Sequence, residues 1–285
     1  MRIVYVTETY PPEVNGVALT VARTVAHLRR RGHAVTLMRP RQPGEAACDD
    51  AGEWRTAGLP IPMYRDLRFG LAMTSTLRER FERLRPQLVH IATPGPLGAV
   101  ALRAAHALAL PVTTDYRTNF DQYSRYYGFG GFAPLVQGYL RRFHNLAHRT
   151  FVPTRAMRAQ LRNQGFERLH VVGRGVDTAL FSPERRSEAL RGPGGAPVLL
   201  HVGRLAAEKN VGLALRGFDA VRAQQPDAIM LVVGDGPQRA RLKAQFPAAI
   251  FAGALRGEAL ASVYASADVF LFPSLSETFG NVTLE

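Results

Sequence analysis

The run Val198-Leu-Leu-His-Val-Gly-Arg-Leu-Ala-Ala-Glu-Lys-Asn-Val-Gly-Leu-Ala-Leu-Arg-Gly-Phe218 decides how this chain is read. Val198–Val202 is a short apolar run of the kind that forms a buried strand. A loop carrying Gly203 and Arg204 follows, and a helix is expected from about Asn210 to Gln224. Ala228–Val233 is again apolar and closes on the turn residues Gly234-Asp-Gly-Pro237. Strand, helix and strand at this spacing make a βαβ unit and imply a parallel sheet.

The same rhythm runs on to both sides. Downstream it predicts a helix from Gln238, a strand at Ile250–Phe251, a helix near Glu258–Ala265 and a strand at Val269–Phe272. Upstream, the strand Ile3–Thr7 is followed by a loop over 8–16. A helix from Val17 to Arg31 comes next, with Val17, Val21, Val25 and Leu28 on one face and Gly32 ending it. After the strand Ala34–Met38, residues 40–62 show no period and read as an irregular insertion. Helices are then expected near Leu71–Leu84, Leu97–Leu108, up to Ala147 and over Thr154–Asn163. They alternate with strands at Leu88–Ile91, Val112–Thr114, Thr150–Val152 and Leu169–Val172, and an aromatic loop spans Tyr116–Phe132.

Pro and Gly are concentrated in Arg191-Gly-Pro-Gly-Gly-Ala-Pro197, so 182–197 reads as a linker between domains 1–181 and 198–285. At 285 residues, two domains are the natural expectation. The fold class is α/β, with two doubly wound parallel sheets facing a cleft where strand ends bind ligand. The second domain is short for this pattern, and the chain is expected to be a truncated form of a longer protein.

Hydrophobic residues make up 46% and charged residues 21%, which excludes a disordered chain. The lone Cys48 forms no internal disulfide, in keeping with a reducing compartment or indifference to redox state. No apolar run approaches the ~20 residues that span a bilayer, so a cytoplasmic protein is expected. The net charge of +13 lies wholly in residues 1–192, with 28 Lys+Arg against 15 Asp+Glu, whereas 193–285 carry eight of each. A basic half joined to a neutral half suits an anionic membrane surface, at the inner face of the cytoplasmic membrane. Nucleic acid is not expected as a partner, because no finger, ribonucleoprotein or basic-heptad pattern is present.

Four constellations carry chemistry. In Gly203-Arg204…Glu208-Lys209-Asn210, two cations leave a strand end just before a helix, a placement suited to a diphosphate. In Ser274…Glu277-Thr-Phe279-Gly280…Glu285, two carboxylates flank a Phe-Gly that opens a helix, one placed for sugar hydroxyls and the other for a ribose. In Tyr10-Pro-Pro-Glu13-Val-Asn15-Gly16, the glycine serves either a structural turn or a close approach to phosphate. Gly234-Asp-Gly-Pro237 is mainly architectural. There is no Gly-x-Ser-x-Gly, Walker A or His-Glu-x-x-His string, and no Asp-x-Asp for a metal-held diphosphate. The eight histidines are scattered, and no metal site is expected.

Together the strings Thr9-Tyr-Pro-Pro…Asn15-Gly16, Gly203-Arg204…Glu208-Lys209-Asn210, Gly234-Asp-Gly-Pro237 and Glu277…Glu285 resemble family 4 of the retaining glycosyltransferases, with its two-Rossmann GT-B architecture. Tyr116-Arg-Thr-Asn119-Phe and Leu140-Arg-Arg-Phe-His144 resemble the branch holding bacterial α-mannosyltransferases and sulfoquinovosyl-lipid synthases.

The resemblance implies a hexosyltransferase whose co-substrate is a nucleoside-diphosphate sugar and which needs no cofactor or metal. Its acceptor would be a lipid-linked or envelope saccharide. Arg204, Lys209 and Glu277 would be catalytic, the first two neutralising the leaving diphosphate. Gly16, Gly203, Phe279, Gly280 and Glu285 would join Arg204 and Lys209 in holding the donor, and Tyr116, Arg117 and Asn119 would line the acceptor side. Arg117 stands where relatives often have His. It is no general base near neutral pH, but it suits an anionic acceptor. Such a site requires Arg204 and Lys209 not to be neutralised already by buried partners. The alternatives are a binding protein without turnover, an inactive fragment, or a nucleotide-sugar epimerase on the same fold.

Overall fold

Short buried runs form the centres of two sheets. The computed structural model describes residues 1–285 apart from 14–15, 62–63, 118–132, 276 and 278. At 61, 64–67, 133 and 193 it describes the backbone. The chain divides into two compact units, one up to Gly173 and one from Arg174 to Glu285.

In the first unit the strands are β1 (Arg2–Val6), β2 (Ala34–Pro40), β3 (Glu53–Ile61), β4 (Tyr64–Leu71), β5 (Leu88–Ile91), β6 (Val112–Asp115), β7 (Arg149–Val152) and β8 (Leu169–Val171). They lie in the order β4-β3-β2-β1-β5-β6-β7-β8. Neighbours are parallel except the antiparallel β3/β4 pair. The helices are α1 (Gly16–Arg30), α2 (Thr74–Leu84), α3 (Pro96–Ala107), α4 (Ala133–Leu146) and α5 (Arg155–Asn163).

Right-handed crossovers send α1 to one face of this sheet and α2 to α5 to the other. The alternation of β1 serves both faces. Ile3 and Tyr5 meet Val21 and Val25 of α1, whereas Val4 and Val6 meet Phe81, Leu97, Ala101 and Phe143. Leu140 of α4 packs with Met157 and Leu161 of α5. Thr154 caps α5, its Oγ1 accepting from the Met157 amide at 3.0 Å.

Residues 40–62 are more regular than expected. Thr56 is the last β3 residue paired with β2, so Pro60 lies where only β4 is a neighbour and its missing N–H costs no second ladder. Gly58 and Pro60 hide this strand from a reading based on periodicity. Arg39, only 4% exposed, holds the region together through Glu45 at 2.7 Å and Glu53 at 2.8 Å.

The second unit has β9 (Val198–Val202), β10 (Ile229–Val233), β11 (Ile250–Gly253) and β12 (Val269–Phe270), all parallel in the order β11-β10-β9-β12. Its helices are α6 (Val211–Arg222), α7 (Arg239–Gln245) and α8 (Gly257–Ser266). The stretch 182–197 contains three 3-10 turns and is strapped onto this unit. Arg185 reaches Glu258 and Arg186 reaches Asp268, each at 3.1 Å, and Leu190 packs on the apolar cluster of β9. Strand order reverses between β9 and β12, which makes their carboxyl ends the topological switch point of the second sheet. Among the described residues no helix is long and apolar enough to cross a membrane.

Candidate active site

Two loops leave the switch point of the second unit, Gly203–Asn210 after β9 and Phe272–Gly280 after β12. The first is clamped to its neighbour by backbone bonds. Gly203 N donates to Val233 O and Leu205 N to Asp235 O, each at 2.9 Å. A β-carbon on Gly234 would lie 1.9 Å from the Gly203 carbonyl oxygen, and one on Gly236 would lie 2.6 Å from that of Leu205. Only glycine permits this approach. Leu205 is wholly buried and anchors the loop beside Arg204.

The two loops then meet. Leu275 N donates to Glu208 O at 2.9 Å, and the Ser274 hydroxyl donates to Glu277 Oε1 at 2.9 Å. Lys209 Nζ donates to the same Glu277 oxygen, and Arg204 Nη2 donates to Glu208 Oε1. Lys209 and Glu277 are thus in contact, and Arg204 lies on the same loop as Lys209, paired with Glu208.

The requirement that neither cation be neutralised by a buried partner fails at Arg204 and holds at Lys209, whose partner is only partly buried. Glu208 is 1% exposed and pairs with Arg204, while Glu277, 26% exposed, pairs with Lys209. The physical reason is local charge balance. Two cations held together by one loop recruit the nearest carboxylates, and the four side chains sum to zero.

His201 escaped the sequence reading. It is 1% exposed, and its Nδ1 lies 3.0 Å from Leu271 O. A carbonyl only accepts, so Nδ1 carries the proton and Nε2 presents a lone pair with no hydrogen-bond partner among the described residues. Burial pushes this imidazole below its ordinary pKa. A histidine in an otherwise aliphatic strand was the available signal.

Gly280 is buried at φ 79°, where a β-carbon would come within 3.2 Å of the Phe272 ring. The helix expected after it is a single 3-10 turn, Asn281–Thr283. Phe279 is half-buried beside it. Glu285 is half-buried and hydrogen-bonds the Tyr264 phenol, whose pKa is raised first by burial and then by this carboxylate.

Of the residues expected in the first unit, Gly16 is exposed at the start of α1. The Tyr116 ring is 4% exposed and packs on His144 and Phe166. Arg117 is turned inward, its side chain 6% exposed, pairing with Asp115 and donating to Tyr5 Oη at 3.3 Å. Asp115 also meets His90 Nε2 at 3.1 Å. Tyr116 and Arg117 are thus tied into the interior at the end of β6. Asn15 and Asn119 lie outside the described residues.

The Glycosyltransferase Family 4 profile matches residues 14–180, and the Glycosyl transferases group 1 profile matches 196–285. A GDP-mannose-dependent alpha-mannosyltransferase of Mycobacterium tuberculosis is 37% identical over 100% of this chain and 76% of its own length. The chain belongs to glycosyltransferase family 4.

Other relatives of this family 4 chain include one with the sulfoquinovosyl name that its motifs resemble. The sulfoquinovosyl transferase SQD2 of Arabidopsis thaliana is 32% identical over 80% of this chain and 46% of its own length. An alpha-monoglucosyldiacylglycerol synthase of Streptococcus pneumoniae is 28% identical over 100% of this chain and 68% of its own. The fold is GT-B. A sucrose-phosphate synthase from Thermosynechococcus elongatus superposes with a TM-score of 0.71 at 17% identity, over 99% of this chain and 77% of that one.

Proposed function

We propose that this family 4 glycosyltransferase moves a hexose from a nucleoside-diphosphate sugar to a lipid or lipid-linked saccharide, with retention at the anomeric carbon and without a metal. The observation that carries this reading is the meeting of Lys209, Ser274 and Glu277 at the switch point of the second sheet, with Arg204 on the same loop as Lys209 and held by Glu208. GDP-mannose is the first donor to try and a glycerolipid or saccharide lipid the first acceptor, since relatives carry mannosyltransferase and diacylglycerol-synthase names.

The arriving diphosphate takes the Lys209 ammonium from Glu277, and the released carboxylate accepts hydrogen bonds from the hexose hydroxyls. Arg204, steadied by buried Glu208, shares the diphosphate charge that grows as the C1–O bond breaks. The acceptor oxygen bonds to C1 on the face being vacated, and its proton passes to the leaving phosphate oxygen. Gly203, Phe279 and Gly280 shape the donor pocket, and Glu285 holds the ribose. Tyr116 and Arg117 act on the acceptor side by fixing the end of β6. The protein works peripherally at the cytoplasmic face of the membrane.

The test is a transfer assay with a panel of nucleotide sugars and membrane lipid extract, with the product anomer read by NMR. An α-linked product lost in Arg204→Ala and Glu277→Ala supports the assignment. Unchanged transfer in both variants removes it.

A further inference from the structure

Three helices of the first unit, α3, α4 and α5, lie side by side on one face of the sheet. None of them carries an acidic residue, and neither do the whole stretches 86–114 and 133–166. Their exposed cations are Arg103, Arg141, Arg142, Arg155, Arg158 and Arg162. Among the described residues no ion pair involves any of the six. On the neighbouring helix α2, Arg80 pairs with Asp49. Six arginines thus share this layer with no carboxylate among them, as Arg23, Arg29 and Arg30 do on α1.

The same layer exposes apolar side chains in a regular row. Leu135 is 71% exposed, Tyr139 45% and Leu146 47%, and with Arg142 they follow the i, i+4, i+7, i+11 pattern of one helix face. The buried side of α4 is separately satisfied by Leu140, Phe143 and Ala147. Tyr139 is pinned by donating its hydroxyl to Pro94 O at 2.7 Å, and His106 of α3 holds the end of α4 through Leu146 O at 2.8 Å. On α5, Arg155, Arg158 and Arg162 share the face opposite buried Met157 and Leu161.

We propose that the outer face of α3, α4 and α5 docks on an anionic lipid bilayer, the arginines meeting headgroup phosphates and Leu135, Tyr139 and Leu146 entering the interface. An acid-free basic surface complements an anionic one. The interleaved leucines favour a lipid surface over nucleic acid, because polyanion binding alone gives exposed aliphatic side chains nothing to bury against. The inference deepens the membrane part of the proposed function and rests on that reading for its biological sense, but not for its physics.

Co-sedimentation of the whole chain with vesicles tests it, using phosphatidylcholine alone or mixed with phosphatidylglycerol. Binding is expected only with phosphatidylglycerol, and it should weaken as salt rises. Reversing Arg142, Arg158 and Arg162 to Glu should lower partitioning by more than about tenfold. Leu135→Ser with Leu146→Ser should lower it several-fold without changing its salt dependence. Arg23→Glu with Arg30→Glu, exposed on α1 at the opposite face of the sheet, should leave it nearly unchanged. Melting temperature is followed in parallel, so that a folding defect is not read as lost binding. Equal binding to neutral vesicles, an equal loss in the α1 variant, or lost DNA binding with intact vesicle binding each overturns the proposal. Transfer to a detergent-dispersed acceptor should survive in the helix-face variants. If the unaltered chain shows no transfer yet binds vesicles through this face, the functional reading fails and this one stands.

Discussion

Lys209 and Glu277 are 68 residues apart, yet they form one ion pair whose carboxylate oxygen also accepts from the Ser274 hydroxyl at 2.9 Å. The pair closes the loop after β9 onto the loop after β12. Under the proposed function a diphosphate would compete with Glu277 for the ammonium, linking ligand binding to loop contact.

That competition separates two ligands. Glu277→Gln no longer holds the ammonium by charge, so nucleoside diphosphate alone should bind several-fold more tightly than to the unaltered chain. The nucleotide sugar should gain less, because the carboxylate acceptor for its hydroxyls is gone. Lys209→Ala should weaken both ligands and reduce transfer by about 100- to 1,000-fold. Calorimetric titration with GDP, UDP and their sugars checks the binding statements, and a transfer assay checks the loss of activity.

The crossing of the two glycine-bearing loops predicts a steric defect. Gly234→Ala forces a methyl group against the Gly203 carbonyl and should cost about 3 kcal/mol or more. Gly217→Ala, inside α6 with no atom within 4 Å of the new carbon, should instead stabilise by up to about 1 kcal/mol. Urea unfolding of the two variants measures the contrast.

Arg117 offers a test of burial. Arg117→Ala removes the cation paired with buried Asp115, and should destabilise the first unit by about 3–5 kcal/mol. Arg117→His retains a hydrogen-bonding ring and should lose less, as thermal melts report.

Two buried groups give stability opposite slopes with pH. Burial pushes the Glu8 carboxyl up to about 7, against the opposing pull of the Gly70, Leu97 and Gly98 amides. Its contribution is full below the ordinary carboxyl pKa and disappears as pH rises through 7. Burial pushes His144 down to about 3. Its contribution is full above the ordinary histidine pKa and disappears as pH falls toward 3. Melting curves between pH 3 and 8 should show Glu8→Gln flattening the loss toward pH 7 and His144→Phe flattening the acid limb.

Much of this was legible before any coordinates. Val198–Val202 and Ile229–Val233 are buried on both faces, so their unbroken apolar runs identify parallel strands, and the motif loops fall at their ends. β3 was not legible, because Gly58 and Pro60 obscure a strand whose far end pairs on one side only. Arg204, Lys209 and Glu277 were recognisable by spacing. The pairing of Lys209 with Glu277 was not, because Glu277 arrives from 68 residues away. Tyr116 and Arg117 looked like ligand groups, and nothing local shows that Asp115, Tyr5 and Phe166 enclose them.

The account rests on the diphosphate replacing Glu277 at Lys209. A crystal structure of the chain soaked with nucleoside diphosphate tests that most directly. Phosphate oxygens within hydrogen-bonding reach of Lys209 Nζ and the Arg204 guanidinium, with Glu277 moved off the ammonium, are the predicted result. Nucleotide bound elsewhere, with the Lys209–Glu277 pair intact, would contradict it.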